Sequence, residues 1–395
     1  MMSSRRLTFV NADLGGVHGS LRISGARIAA AGAAACAADE TLDLRGDRVL
    51  PGLINAHDHL QLNTLPAVHP EQPTRNAREW IALVNQRRQA DPLFESSVAV
   101  ALNERLLIGG IKNLLGGVTT VAHHDPLFAF LTGSQFPIRV VSHYGWSHSL
   151  YVDPAEEVRD SYLRTPPDWP WIIHAAEGVD EEAGAEFSRL EALGCVGPNT
   201  LMVHGIALGP AERSRLRDAH AGLIWCPSSN LRLFGATAHI CDLSRCGRVA
   251  LGTDSRLSGS RDLLDELQAA RAAAEVDELT LEAMVTRDAA ALLRLPDRGT
   301  LQPGTCADLL VLPAGLPLSQ ASRADVRLVM VAGRPLYGDP DYALAVAPRA
   351  HWVRVSVDGR TKMLQGDLAE ALSAASIGEP GLSICEETLG AACAT

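Results

Sequence analysis

The chain has no C-x-x-C pair. Its eight cysteines (Cys36, Cys195, Cys226, Cys241, Cys246, Cys306, Cys385 and Cys393) are scattered, which argues against a disulfide framework or a thiolate zinc knuckle. No segment is long and apolar enough to span a bilayer, and the first residues lack the apolar stretch of a signal peptide. A reduced, cytoplasmic setting is therefore expected. No G-x-x-x-x-G-K-[ST] or G-x-G-x-x-G follows a strand, which removes the common phosphate loops. Gly145-Trp-Ser-His-Ser is no nucleophile elbow, because Ser149 stands where glycine is required. Positive charge is scarce: 35 basic residues face 46 acidic ones, for a formal charge of −11. That balance excludes nucleic acid and an anionic membrane as main partners. Only two lysines occur, Lys112 and Lys362.

What remains is globular. Hydrophobic residues make up 47% and charged residues 21% of 395 residues, enough to bury a large core without staples. Residues 5–48 alternate short β-like runs with glycine turns, and the same texture returns over 307–336. One small β-sandwich-like domain built from both ends is expected, over 1–48 and 300–360. Between them apolar strand-like runs (48–55, 118–122, 138–142, 171–174, 200–204, 223–226, 249–253) alternate with helical patterns (76–90, 96–115, 181–193, 261–274, 281–292). That alternation predicts an α/β fold, a (β/α)8 barrel over 49–299. Only seven strands are strong; 147–152 offers a poor eighth, so one unit reads as abbreviated. A helix over 367–375 and otherwise loose order are expected in the tail, 361–395.

The polar residues fall at strand ends. In Leu-Pro-Gly-Leu-Ile-Asn-Ala-His57-Asp-His59 an apolar strand ends in H-x-H, and residues i and i+2 of a strand share a face. Two imidazoles thus converge as a divalent metal requires. His174-Ala-Ala-Glu177, His204 and Asp254 likewise close apolar runs. In a barrel these ends form one mouth, so His57, His59, His174, His204 and Asp254 are expected together.

Those motifs, with Cys226-Pro-Ser-Ser-Asn230, Gly-Thr-Asp254-Ser and Leu301-Gln-Pro-Gly-Thr-Cys-Ala-Asp308, resemble the amidohydrolase superfamily over roughly residues 5–345. The likeness is to its deaminase and chlorohydrolase branch, with adenosylhomocysteine, guanine and cytosine deaminases and triazine hydrolases. The resemblance implies that His57, His59, His174 and Asp254 hold one divalent ion, zinc first and iron as the alternative. It implies that Glu177 protonates the ring nitrogen or leaving group, that His204 orients water or polarises the attacked carbon, and that Asp254 also accepts the water's proton. Binuclear relatives bridge their metals with a strand-end lysine; neither Lys112 nor Lys362 falls at one, so a mononuclear site is expected. A homodimer follows by the same analogy.

His123, His143, Trp146, Asn230 and Arg256 are candidate contacts for a small-molecule substrate; loop capping, rim packing or pairing of Arg256 with Asp262 are the plainer alternatives. Trp80 reads as helix packing or a lid. Hydrolytic deamination of an aminated heterocycle is the expected reaction, with amide or lactam hydrolysis or another leaving group as the enzymatic alternative. A non-catalytic metal-containing barrel would not need Glu177 and His204.

Overall fold

Six of the eight parallel strands are short apolar segments whose branched and aliphatic side chains alternate between two hydrophobic layers. The structure, a computed structural model, describes residues 6–32, 39–273 and 276–385. The barrel strands are β1 (Leu53–Asp58), β2 (Val118–His123), β3 (Arg139–Val140), β4 (Gly145–Ser149), β5 (Trp171–Ala175), β6 (Thr200–His204), β7 (Gly222–Trp225) and β8 (Val249–Leu251). Ile54, Ala56, Ile172, Leu201, Val203, Ile224 and Ala250 fill one cluster. Their neighbours Leu53, Trp171, Ile173, Met202, Leu223 and Val249 fill another. That is the period of a strand buried on both faces.

Strands β1-β2-β3 form one parallel sheet and β4 to β8 another. Residues 141–144 carry the chain directly from β3 to β4, so the abbreviated unit keeps its strand and loses its crossover helix. The eighth strand is Gly145–Ser149, within the stretch where the sequence offered only a poor one. Its serines and histidine hide it from an apolar count. The last strand returns to the first through the Asp254 amide, which donates to the His57 carbonyl at 3.1 Å. Gly252 permits that approach: a Cβ there would lie 2.6 Å from His57 Cβ.

The second body is an eleven-stranded sheet drawn from both ends of the chain. Arg48–Pro51, the strand that enters β1, pairs antiparallel with Leu309–Leu312. The described part of the expected tail is more ordered than its composition suggested. Arg360–Gln365 and Leu382–Ile384 both pair with Trp352–Val357, and a helix spans Gly366–Ala374. Residues 386–395 lie outside the described chain. Among the described residues no helix is long and apolar enough to cross a membrane.

Candidate active site

At β1 the register slips between Asn55 and Asp58, and the imidazoles of His57 and His59 face the interior. Asp58 turns outward, accepting from Lys112 Nζ at 3.0 Å and Asn113 Nδ2 at 2.9 Å, with Asn63 Nδ2 2.8 Å from its other oxygen. At β5 the alternation that buries Ile172 brings His174 inward. Elsewhere the backbone bends to aim the side chains. Ala176, His204 and Asp254 adopt φ of 53°, 74° and 54°, a left-handed conformation that costs non-glycine residues energy and gathers at functional sites. The Glu186 carboxyl braces the first of these turns, its Oε2 accepting the Ala176 amide at 2.9 Å.

Three of the rings are oriented from behind, which leaves one nitrogen of each facing the mouth. His59 Nδ1 meets Asp125 Oδ2 at 2.7 Å, His174 Nδ1 meets the His148 carbonyl at 2.8 Å, and His124 Nε2 meets the Ser147 carbonyl at 2.9 Å. His59 Nε2 and His174 Nε2 stand 3.3 Å apart. Asp254 Oδ1 lies 3.7 Å from His57 Nε2 and 3.8 Å from His59 Nε2, while its Oδ2 accepts from Ser258 at 2.6 Å. Ring nitrogens of His57, His59, His124 and His174 all fall within 4.8 Å of one another. Both nitrogens of His57 are buried without a partner, an expensive state for polar atoms and one that a metal ion relieves. The donor set, neutral imidazole plus carboxylate, therefore fits a divalent ion.

The electrostatics agree for three of the four imidazoles, His57, His124 and His174. Burial pushes the His57 pKa down to about 4 and those of His124 and His174 well below the ordinary value, which leaves their lone pairs free. Burial also disfavours charged His59, but Asp125 outweighs it and holds that pKa at about 9. Asp254 stays ionised because the imidazoles of His57, His59 and His204 overcome its desolvation. Burial, aided by the Asp254 charge, raises Glu177 against the pull of His204. Glu177 Oε1 lies 3.7 Å from His204 Nε2, whose Nδ1 is fixed by Asn230 Oδ1 at 2.8 Å.

These groups share a cavity of about 310 Å³ that His59, His174, Glu177, His204 and Asp254 line. Trp80, Ile81 and Val84 of the helix Ala77–Ala90 form an apolar wall; Trp80 thus both packs and borders the pocket. A larger hollow of 960 Å³, bordered by Phe136, Arg139, Arg334 and Glu370, contains no histidine and lies apart from this chemistry.

The expected substrate contacts fare differently. His123 does not reach the cavity: strand alternation turns it outward, where its Nδ1 lies 3.4 Å from the Leu60 amide and its ring 6.1 Å from Phe128. His143 precedes β4 rather than ending a strand, and its ring packs 4.9 Å from Trp169 beside Leu293 and Arg294. Trp146 fills the barrel interior, edge-on to His124 at 5.6 Å. Asn230 reaches the site through His204. Arg256 does not pair with Asp262; its guanidinium is gripped by Glu379 at 2.8 and 2.5 Å. Absent from the expected contacts are His124, His148 and Ser258, which the structure brings to the site. Strict alternation after β2 would have separated His124 from His123.

Eight parallel strands with imidazoles and carboxylates gathered at their C-terminal ends define a barrel hydrolase of the metal-dependent class. The profile of the amidohydrolase family matches residues 171–336. It is 27% identical over 368 residues to a 5-methylthioadenosine/S-adenosylhomocysteine deaminase of Teredinibacter turnerae, covering 76% of this chain and 82% of that one. An 8-oxoguanine deaminase of Pseudomonas aeruginosa is 32% identical over 191 residues, 40% of this chain and 42% of that one. In fold it is similar to an adenosine deaminase from Xanthomonas campestris with bound zinc (TM-score 0.69, 22% identity, 87% and 96% of the two chains). It is also similar to the atrazine chlorohydrolase from Arthrobacter aurescens complexed with zinc (TM-score 0.67, 21% identity, 84% and 95%).

Proposed function

We propose that this protein is a mononuclear metal-dependent deaminase of a small, uncharged, aminated heterocycle. The observation that carries the reading is that Glu177 and His204 enter the same cavity as the imidazole cluster. Metal binding alone would need neither. A divalent ion held by His57, His59, His174 and Asp254 would supply the Lewis acidity that makes water a nucleophile near neutral pH. Zinc is the first choice, since two structural neighbours hold it, and iron the alternative.

The chain's own residues then handle the protons. Glu177, whose pKa burial raises, is the group placed to give a proton to a ring nitrogen as water adds to the amine-bearing carbon. Asp254, kept ionised, accepts the proton that the water sheds. His204 Nε2, fixed through Asn230, faces the adding oxygen. In collapse Asp254 returns its proton to the amine, which leaves as ammonia, and Glu177 recovers one from the new hydroxyl as it becomes a carbonyl. Both carboxyl groups end as they began.

The substrate class follows from the walls. No lysine or arginine lines the cavity, and the arginines of the neighbouring loop and helix are committed. Arg256 is held by Glu379, Arg75 by Glu79 and Arg78 by Glu182. An indole, aliphatic side chains, Gln61 and Asn85 suit a planar neutral ring; a carboxylate or phosphate would go unpaired. Steady-state kinetics on matched pairs, an aminated ring with and without a carboxylate, test this. At least a tenfold preference for the neutral member is expected, and equal kcat/KM would contradict it. The reading also carries a homodimer, a cytoplasmic setting, and a division of the chain into a catalytic barrel over 49–299 and a supporting sheet domain over 1–48 and 300–360.

A further inference from the structure

The histidine that the proposed ligand set omits, His124, is placed to do more than pack. Its Nε2 lies 2.9 Å from the Ser147 carbonyl, an acceptor only, so Nε2 carries the ring's hydrogen and the Nδ1 lone pair is left free. That Nδ1 is buried and has no partner. The ring stacks on His174 at 4.3 Å with the planes 15° apart. Successive carbonyls of β4, Ser147 and His148, orient the two imidazoles, so one strand aims both at the same point. Burial alone does not select His124, because His123 Nε2 is also buried without a partner. Convergence does: a nitrogen of His124 lies within 4.8 Å of those of His57, His59 and His174, and His123 is outside that group.

We infer that His124 Nδ1 is a fifth protein donor to the metal, beside His57, His59, His174 and Asp254. The inference rests on the reading that this site holds a metal ion. It makes the centre richer in nitrogen than the set of three imidazoles and one carboxylate. Protein zinc carries four and at times five ligands, so five protein donors and a water would favour an ion that accepts six, such as iron(II).

The test counts imidazoles directly. The metal-free chain, with isotopically labelled histidine, is loaded with NMR-active cadmium, and the rings showing metal–nitrogen coupling are counted. Four coupled rings are expected, one of them through Nδ1 and lost in His124→Gln, which keeps a donor for the Ser147 carbonyl. Three coupled rings, unchanged by that substitution, would overturn the inference. Cobalt(II) titration gives a second readout. His124→Gln should weaken binding at least tenfold and alter the visible absorption, whereas His123→Gln should change neither; a His124→Gln protein matching wild type in both would overturn it. Should His124→Gln fail to fold, the count in wild-type protein decides. If the wild-type chain takes up no metal at all, the functional reading falls first. If it does, and His59→Ala abolishes uptake while the count is three, only this inference falls.

Discussion

Asp58 Oδ2 lies 3.0 Å from Lys112 Nζ, and neither side chain has any exposure to solvent. This pair stands on the reverse side of the segment that presents His57 and His59. The ammonium is completed by Asn63 Oδ1 at 2.8 Å and Thr253 Oγ1 at 3.1 Å, so it ties β1 to the Asp254 loop. Of the two lysines in the chain, one is thus spent as a buried anchor for the site.

Removing one member of such a pair leaves a buried uncompensated charge. Lys112→Met should lower stability by about 3–5 kcal/mol, read as the shift of a urea unfolding midpoint at constant slope. A loss below about 1 kcal/mol would show that the network tolerates the unpaired carboxylate.

Glu177→Gln should keep metal content at the wild-type level and lower kcat by about 10²–10⁴. The amide has nearly the same shape but cannot deliver a proton to the ring nitrogen. Full turnover in a metal-replete variant would take Glu177 out of the proton path.

Asn230→Ala leaves His204 Nδ1 without its 2.8 Å partner and frees the ring to rotate and change tautomer. A fall in kcat of roughly tenfold or more, with little change in KM or metal content, is expected. A selective rise in KM would instead mean that Asn230 touches substrate.

Burial, reinforced by the Glu177 charge, pushes the Glu186 carboxyl up to about 8 from an ordinary 4.5. Its Oε1 has no partner, as suits a protonated acid. Between these two values the native state holds a proton that the unfolded chain has lost. Stability is therefore full below pH 4.5 and falls as pH rises through 8, by about 1.4 kcal/mol per unit within the window. Glu186→Gln removes this titration and should flatten the profile, measured as denaturation midpoints from pH 5 to 9. Parallel profiles would contradict the raised carboxyl.

Much of this was legible from sequence because strand ends are written in it. An apolar run closing on His, Asp or Glu sets both the barrel and its mouth, and His57, His59, His174, His204 and Asp254 do meet there. The failures share a cause. His123 and His143 were placed by proximity to a strand end, whereas their side chains follow the alternation and the true strand limits, which a two-residue β3 and a polar β4 obscure. Arg256 was misread because its partner, Glu379, lies 123 residues away in a segment whose composition suggested disorder. Long-range ion pairs leave no local trace. The abbreviated unit showed in the sequence as a poor eighth strand, whereas the missing piece is the crossover helix between β3 and β4, whose absence leaves no local pattern.

The central claim is tested most directly by ammonia release from zinc- or iron-loaded protein across neutral amino-purines, amino-pyrimidines, pterins and triazines, with simple amides alongside. The account predicts ammonia and the matching ring carbonyl in equal amounts from at least one ring amine, and no release by Glu177→Gln. Silence on every ring amine, with metal bound at one per chain and amides hydrolysed instead, would contradict deamination and make the protein an amide hydrolase.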